Sequence, residues 1–406
     1  METTRFSSID ANSLQYWILL GGLALATLVG VLAAHHMDLE GHHISGMSNQ
    51  IVWGFPHVAA IFLIIAASGA LNVASISSVF GKTDYKPLAR MSGLLAIALL
   101  VGGLAILVLD LGRPDLLIVA MTKYNFKSIF AWNIFLYTGF IVITVIYLWM
   151  MMERKMNKFI KVTGFAAFLW RLILTTGTGS IFGFLVARQA YDAAIMAPLF
   201  VIMSFAFGMA TFILVLMASY KWTHRTLGDV MLSKLKNLLG IFVAAILYFV
   251  LAYHLANLYA TEHHGIERFI LLDGGIYTFL FWAGHIVIGC LVPLALVFIK
   301  PMSQSRGMTM LAAGLVIMGG IAQLYVIIIG GQAYPLVLFP GMEESSSFFD
   351  GVVAEYTPSI FELLLGFGGI CLALAIVTVG IAILEFLPES LSDKALSLDS
   401  ARSNSI

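Results

Sequence analysis

Apolar runs long enough to cross a bilayer recur ten times along the chain, at about 15–34, 51–79, 92–111, 129–152, 164–187, 195–220, 238–260, 271–299, 308–330 and 360–386. A spanning helix needs about 20 mostly apolar residues. Barrel strands would be about half as long and would alternate apolar with polar positions, which these runs do not. In lipid, each backbone polar group must be paired within its own segment, so runs of this length are helices. The pattern predicts an all-α, polytopic integral membrane protein with about ten transmembrane helices.

Composition agrees. Of 406 residues, 60% are hydrophobic and 11% charged, against about 25% charged in an average soluble protein, so a single soluble core is excluded. With 22 basic and 22 acidic residues there is no basic surplus to neutralise phosphates, and nucleic acid is not an expected ligand. Cys290 and Cys371 both lie in apolar stretches. They are too few for a four-cysteine cluster and badly placed for a disulfide framework. Electrons passing through this protein would therefore need another polypeptide to carry iron and sulfur. The first fourteen residues are polar and lead into the first run without a clear small-residue cleavage site, which reads as a retained helix rather than a signal peptide.

Lys and Arg sort by loop. Sixteen fall at the N-terminus, in the even-numbered loops and at the C-terminus, and five fall in the odd-numbered loops. By the positive-inside rule both termini are expected to be cytoplasmic and the odd loops to face outward; the expected location is the cytoplasmic (inner) membrane. The longest outer loop has no Lys or Arg between Gly331 and Ser359 and carries Glu343, Glu344, Asp350 and Glu355. It reads as a docking surface for an external subunit or as a solvated loop that obeys the charge rule.

Pro56 opens the second helix and Pro198 the sixth, each followed by a small-residue patch (Ser68, Gly69, Ala70; Gly208, Ala210). This faint repetition suggests two four-helix bundles, at 51–190 and 191–330. They would be flanked by an N-terminal helix and outer loop at 1–50, an outer loop and last helix at 331–387, and a Ser-rich cytoplasmic tail at 388–406 expected to be disordered.

Ionisable groups inside spanning segments are expensive and are functional candidates. They are His57, Asp110, Arg171, His254, His285 and Glu362. His57 follows Pro56 in the first turn of its helix, where the partial positive charge favours a neutral imidazole. Asp110, in LDLGRPD, closes the third helix on the same side, so both can share one depth. Two-electron quinone chemistry moves two protons, and such a pair could give and take them. The plainer alternatives are a packing histidine and an Asp110 paired with Arg113.

His254 and His285 sit at different depths, so buried, hydrogen-bonded histidines are expected rather than ligands of a haem. His35, His36, His42 and His43 lack ligand spacing, and no metal site is expected. Arg171 is expected to snorkel to the headgroups or to line a proton path. Ser68, Asn72 and Ser75 share one helix face and read as an interhelical hydrogen-bonding seam.

The stretches GMSNQIVWGFPHV, SGALNVASI, LVLDLGRPD and NFKSIFAWN, together with RLILTTGTGSIFGFLVARQAYDA and LYATEHHGIERFILLDGGIYT, resemble the membrane subunits of the polysulfide reductase (NrfD-like, PsrC-like) family. The ten-helix subunit of the sulfite-reduction-associated Dsr complex, the DsrP type, is the nearest likeness. The resemblance implies two four-helix bundles with added helices at both ends. It implies electron exchange between the membrane quinone pool (menaquinone or ubiquinone) and an outward-facing iron-sulfur subunit, in dissimilatory sulfur metabolism. It further implies a c-type cytochrome and other membrane and cytoplasmic redox subunits as partners. It places the quinone pocket in the first bundle, at His57 and Asp110 with Arg113 beside them. Asn133, Tyr137 and Lys127 lie near these motifs and are expected as lining residues at best. Quinone is the exchangeable substrate; no tightly bound metal or haem is implied. The competing readings are a secondary transporter, which the chemical inequality of the Pro56 and Pro198 regions disfavours, and a passive anchor for a peripheral oxidoreductase.

Overall fold

A computed structural model describes residues 5–336 and 351–393. Ten helices among the described residues are long and apolar enough to span a membrane. They are α1 Leu14–Glu40, α2 Phe55–Ser78, α3 Thr83–Leu109, α4 Ile129–Met152, α5 Arg154–Gly183, α6 Met196–Trp222, α7 Asp229–Tyr259, α8 Ile276–Phe298, α9 Arg306–Ala333 and α10 Ile360–Ile383. The protein is therefore an all-α, polytopic membrane protein, and each predicted run is a helix. α7 begins earlier than its apolar run because its charged first turns find partners at the membrane face. There Lys234 pairs with Asp84 and Lys236 Nζ donates to the Ser303 carbonyl at 2.6 Å.

α2 is almost wholly buried, and its polar residues Ser68, Asn72 and Ser75 find hydrogen-bond partners inside the protein. It packs against α3, α5, α6 and α9, so the segment that carries His57 is held from every side. The two small-residue patches meet each other. A Cβ on Gly69 would stand 1.6 Å from the Ser204 carbonyl oxygen, and one on Gly208 would stand 2.1 Å from the Gly69 carbonyl carbon. Small residues let helices approach this closely in lipid, where packing and interhelical hydrogen bonds drive association.

α1 and α10 lie at opposite ends of the sequence but pack side by side, and α10 also packs on α3 and α2. Gly30 and Gly368 mark their crossing, where a Cβ on either would come within 2.9 Å of the other's Cα. The added helices thus form one pair against the first half.

The described residues of the loops after α1, α3, α5, α7 and α9 share one face, here called the first-loop face. On the opposite face, Phe6–Ser7 pairs antiparallel with Leu387–Pro388, and Thr226–Leu227 runs parallel to Ser390–Leu391. Arg225 ties these pieces by donating to the carbonyls of Ser7, Ser8, Leu387 and Pro388. The expected disordered tail is thus ordered over 388–393, because its backbone groups are paired; the remainder lies outside the described residues. Glu343, Glu344 and Asp350 also lie outside them, whereas Glu355 is described and exposed.

Candidate functional site

His57 and Asp110 meet at the first-loop face. Gly54 caps α2 and Pro56 occupies its first turn, where a missing N–H leaves nothing unpaired. α3 ends at Leu109, and Asp110 is its cap residue, donating its N–H to the Ile106 carbonyl at 3.0 Å. Gly112 then adopts φ +66°, a conformation that costs glycine little, and Pro114 opens the 3-10 turn Pro114–Leu116. The D-L-G-R-P sequence is therefore a helix stop with a left-handed turn, and it leaves Asp110 aimed inward.

Nδ1 of His57 stands 3.0 Å from Oδ2 of Asp110. The approach is off the line of a good hydrogen bond, and among the described residues neither carboxylate oxygen of Asp110 nor Nδ1 of His57 has a hydrogen-bond partner. The Asp110 side chain is 0% exposed and that of His57 23%. A buried carboxylate without donors is costly, and an imidazole open on one edge lies beside it. The ring of Trp53 tilts against His57 with centroids 6.3 Å apart, and Phe130, Phe182 and Tyr191 surround Trp53. An aromatic ring bearing hydroxyls would find both apolar walls and proton partners here, so these residues fit a quinol.

Distant residues fix the start of α2. Gln332 Oε1 accepts from the N–H groups of Val52 and Trp53 at 2.9 and 3.0 Å, while its Nε2 donates to the Trp53 carbonyl. Arg188 donates to the carbonyls of Gln332 and Gln50. The Tyr356 hydroxyl accepts from the Phe55 N–H at 2.6 Å and donates to Glu362 Oε1 at 2.7 Å. Glu362 Oε2 accepts from the N–H groups of Gly46 and Ser359. Burial, followed by the neighbouring Glu362, raises the Tyr356 hydroxyl far above the usual tyrosine range. Burial likewise raises Tyr191.

Two expectations need correction. Arg113 does not reach the pair: it is exposed and forms a local bidentate pair with Asp115, two residues away, at 2.9–3.0 Å. That pairing holds Arg113 above its ordinary value and Asp115 below its own. Arg171 does not snorkel. It is 0% exposed, about 17 Å along the helix from Ile160 at 1.5 Å per residue. It donates to Asn72 Oδ1 at 3.0 Å and, more weakly, to the Ser68 carbonyl at 3.4 Å, and it sits between the rings of Phe168 and Phe205. Ser68 and Asn72 thus serve the seam expected of them, whereas Ser75 bonds back to the Leu71 carbonyl. Asn133 and Tyr137 turn toward α5 instead of the pair, Asn133 donating to Gly177 O and Tyr137 meeting Thr178. Lys127 is exposed in the loop before α4.

His254 and His285 are buried and hydrogen-bonded, His254 to Glu267 and His285 to the Gly319 carbonyl. Glu267, Gln332, Arg188, Tyr356 and Trp53 do not emerge from the sequence as site residues. Only Trp53 carries a signal there, since it lies four residues before His57 in the same motif.

Fold and site together define a polytopic membrane protein with a buried carboxylate–imidazole pair at one membrane face. Residues 43–335 match the family described as "Polysulphide reductase, NrfD", and the protein belongs to that family. It is 29% identical over 395 residues to the Hdr-like menaquinol oxidoreductase integral membrane subunit of Archaeoglobus fulgidus, an overlap of 95% of this sequence and 97% of that one. It is 23% identical to the C subunit of the selenate reductase of Mesobacillus selenatarsenatis, over 88% and 92% of the two sequences. With the C polypeptide of the polysulfide reductase of Wolinella succinogenes it shares 24% identity over 70% of this sequence and 96% of that one.

Proposed function

We propose that this protein is the quinone-reacting membrane subunit of a multi-subunit oxidoreductase, exchanging electrons between the quinone pool and an iron-sulfur subunit docked on the first-loop face. The observation that carries the reading is the Asp110 carboxylate, buried, without a hydrogen-bond donor among the described residues, and 3.0 Å from His57. The similarity to a menaquinol oxidoreductase membrane subunit and to a polysulfide reductase polypeptide supports it.

Quinol oxidation releases two electrons and two protons. Asp110 would accept one hydroxyl proton, and His57, open to the Trp53 wall, would accept the other. In the reverse direction the same groups donate. Proton partners within hydrogen-bond reach contribute about 10²–10⁴ in rate. The aromatic wall orients the ring and excludes water. The electrons leave toward the docked subunit, which faces the same side of the membrane as the pair.

The finer assignment we carry as part of the proposal is a place in dissimilatory sulfur metabolism as a DsrP-type subunit, with a c-type cytochrome among the partners and both termini in the cytoplasm. Arg171, with Asn72, Ser68 and Thr175, would line a proton path through the first half.

The test is binding of a quinol analogue to the purified protein and to its Asp110→Asn variant. A loss of tenfold or more supports the site. Unchanged tight binding removes Asp110 from it. Unchanged quinol turnover by the complex carrying this variant would make the protein a passive anchor.

A further inference from the structure

A second buried carboxylate–imidazole pair lies in the other half of the molecule. Glu267 is 0% exposed and sits on the short helix His264–Arg268 between α7 and α8. Its Oε2 stands 2.6 Å from Nδ1 of His254, and its Oε1 accepts from Nδ2 of Asn257 at 2.8 Å. His254 and Asn257 are three residues apart, so one face of α7 presents both to Glu267.

The surrounding groups leave this pair to balance itself. From α7, the Tyr253 hydroxyl donates to the Ala190 carbonyl. From the neighbouring loops, His263 bonds the Gln189 carbonyl, Arg188 holds Gln50 and Gln332, and Arg268 pairs with Asp273 at the exposed rim. α8 contributes His285 and α9 contributes Gln323. No Lys or Arg pairs with Glu267 among the described residues. A carboxylate buried in this way must share a proton or face an imidazolium.

A cavity of about 10 Å³ adjoins His254, bounded also by Tyr253, Phe281 and Gln323. A cavity of about 10–15 Å³ is what one water requires, so an organic ring is excluded. Two more buried polar atoms, Gln323 Oε1 at the cavity and His285 Nε2 beyond Phe281, have no hydrogen-bond partner among the described residues. Phe281 spans the gap, its ring centroid 4.8 Å from that of His254 and 6.4 Å from that of His285. His285 itself lies in the π-helical stretch Leu280–Leu291, a widened turn often found at functional sites.

We propose that Glu267 and His254 form a proton-binding site, with Gln323 and His285 extending it toward the middle of the membrane. Nδ1 of His254 is committed to Glu267, which leaves Nε2 as the atom that exchanges protons. Uptake takes one proton from the first-loop side onto Nε2 and converts the pair to imidazolium and carboxylate. Release returns it, and no oxidant or reductant is involved. The site does not depend on the quinone reading, because its pair lies apart from His57 and Asp110.

The test uses the full-length protein in lipid nanodiscs, without quinone. Infrared difference spectra are recorded between about pH 5 and pH 8, the range in which an imidazole titrates. The expected result is the signal of one imidazole gaining a proton, accompanied by a shift in the band of one buried carboxylate that stays ionised, with the carboxylate shift absent from Glu267→Gln. A spectrum unchanged by that substitution overturns the proposal. A second measurement needs no variant: nitrogen NMR of ¹⁵N-histidine-labelled native protein should show one histidine with a strongly hydrogen-bonded Nδ1 that titrates in this range. Absence of such a histidine also overturns the proposal.

Discussion

Gly69 on α2 and Gly208 on α6 touch backbone to backbone, so closely that a Cβ on Gly208 would stand 2.1 Å from the Gly69 carbonyl carbon. This contact sets how near the two most central helices can come, and it fixes α2 relative to the second half. Gly69→Ala is expected to force the helices apart and cost about 1–3 kcal/mol or more, as overpacking does. Thermal unfolding of the purified protein in detergent checks this, with Gly21→Ala, which meets nothing within 4 Å, as the control.

Asp110→Asn keeps the shape of the site and removes the carboxylate proposed as its proton acceptor. Quinol turnover of the assembled complex should fall by about 10²-fold or more, while the melting temperature should hold or rise, because a buried carboxyl group whose oxygens accept no hydrogen bond among the described residues is replaced by a neutral amide of the same shape. Turnover kinetics and thermal unfolding on one preparation separate the two effects.

Arg113→Ala should leave quinol-analogue binding within about twofold, since exposed ion pairs contribute little and Arg113 is paired with Asp115, away from His57. A tenfold loss of binding would return Arg113 to the site.

Tyr356→Phe removes the acceptor for the Phe55 N–H and is expected to cost about 1–3 kcal/mol, as for a buried donor left unpaired. The pH dependence has a definite sign. Because burial and Glu362 raise the Tyr356 hydroxyl in the folded protein, its contribution is fully present below the unfolded value of about 10. It is lost as pH rises beyond that value. Melting temperatures between about pH 8 and pH 11 should decline less steeply in the variant than in the native protein.

Arg171→Met should change stability by no more than about 1–2 kcal/mol, since it exchanges a desolvated charge for an apolar side chain of similar length. If Arg171 lies on the proton path, proton release per quinol should fall in liposomes that carry the complex. Unaltered release would leave Arg171 as a packing residue.

The ten spans are legible in the sequence because lipid allows one answer to a long apolar run, and α4 keeps the bounds read from the sequence, Ile129 to Met152. His57 and Asp110 are legible because a proline at one helix start and a D-L-G-R-P stop at another helix end put both groups at one depth. Glu267 is not, because it lies in a polar linking segment whose folding into short turns between α7 and α8 depends on tertiary packing. Gln332 and Tyr356 escape for a related reason: their partners stand about 280 and 301 residues away in sequence, and no local pattern reports such a pairing. Arg113 is drawn away from Asp110 because Asp115, nearer in sequence, lies where its guanidinium can grip both oxygens.

The hold that Tyr356 and Glu362 exert on Phe55 and Gly46 also imposes an order of events in the cell. The turn that presents His57 is synthesised early, yet its N–H waits for a hydroxyl delivered 301 residues later. Only after the ribosome has released α10 into the bilayer can that turn settle. The candidate site is therefore among the last parts of this protein to be fully held, and a nascent polypeptide stalled before residue 356 would carry His57 without the hydrogen bond that fixes its turn.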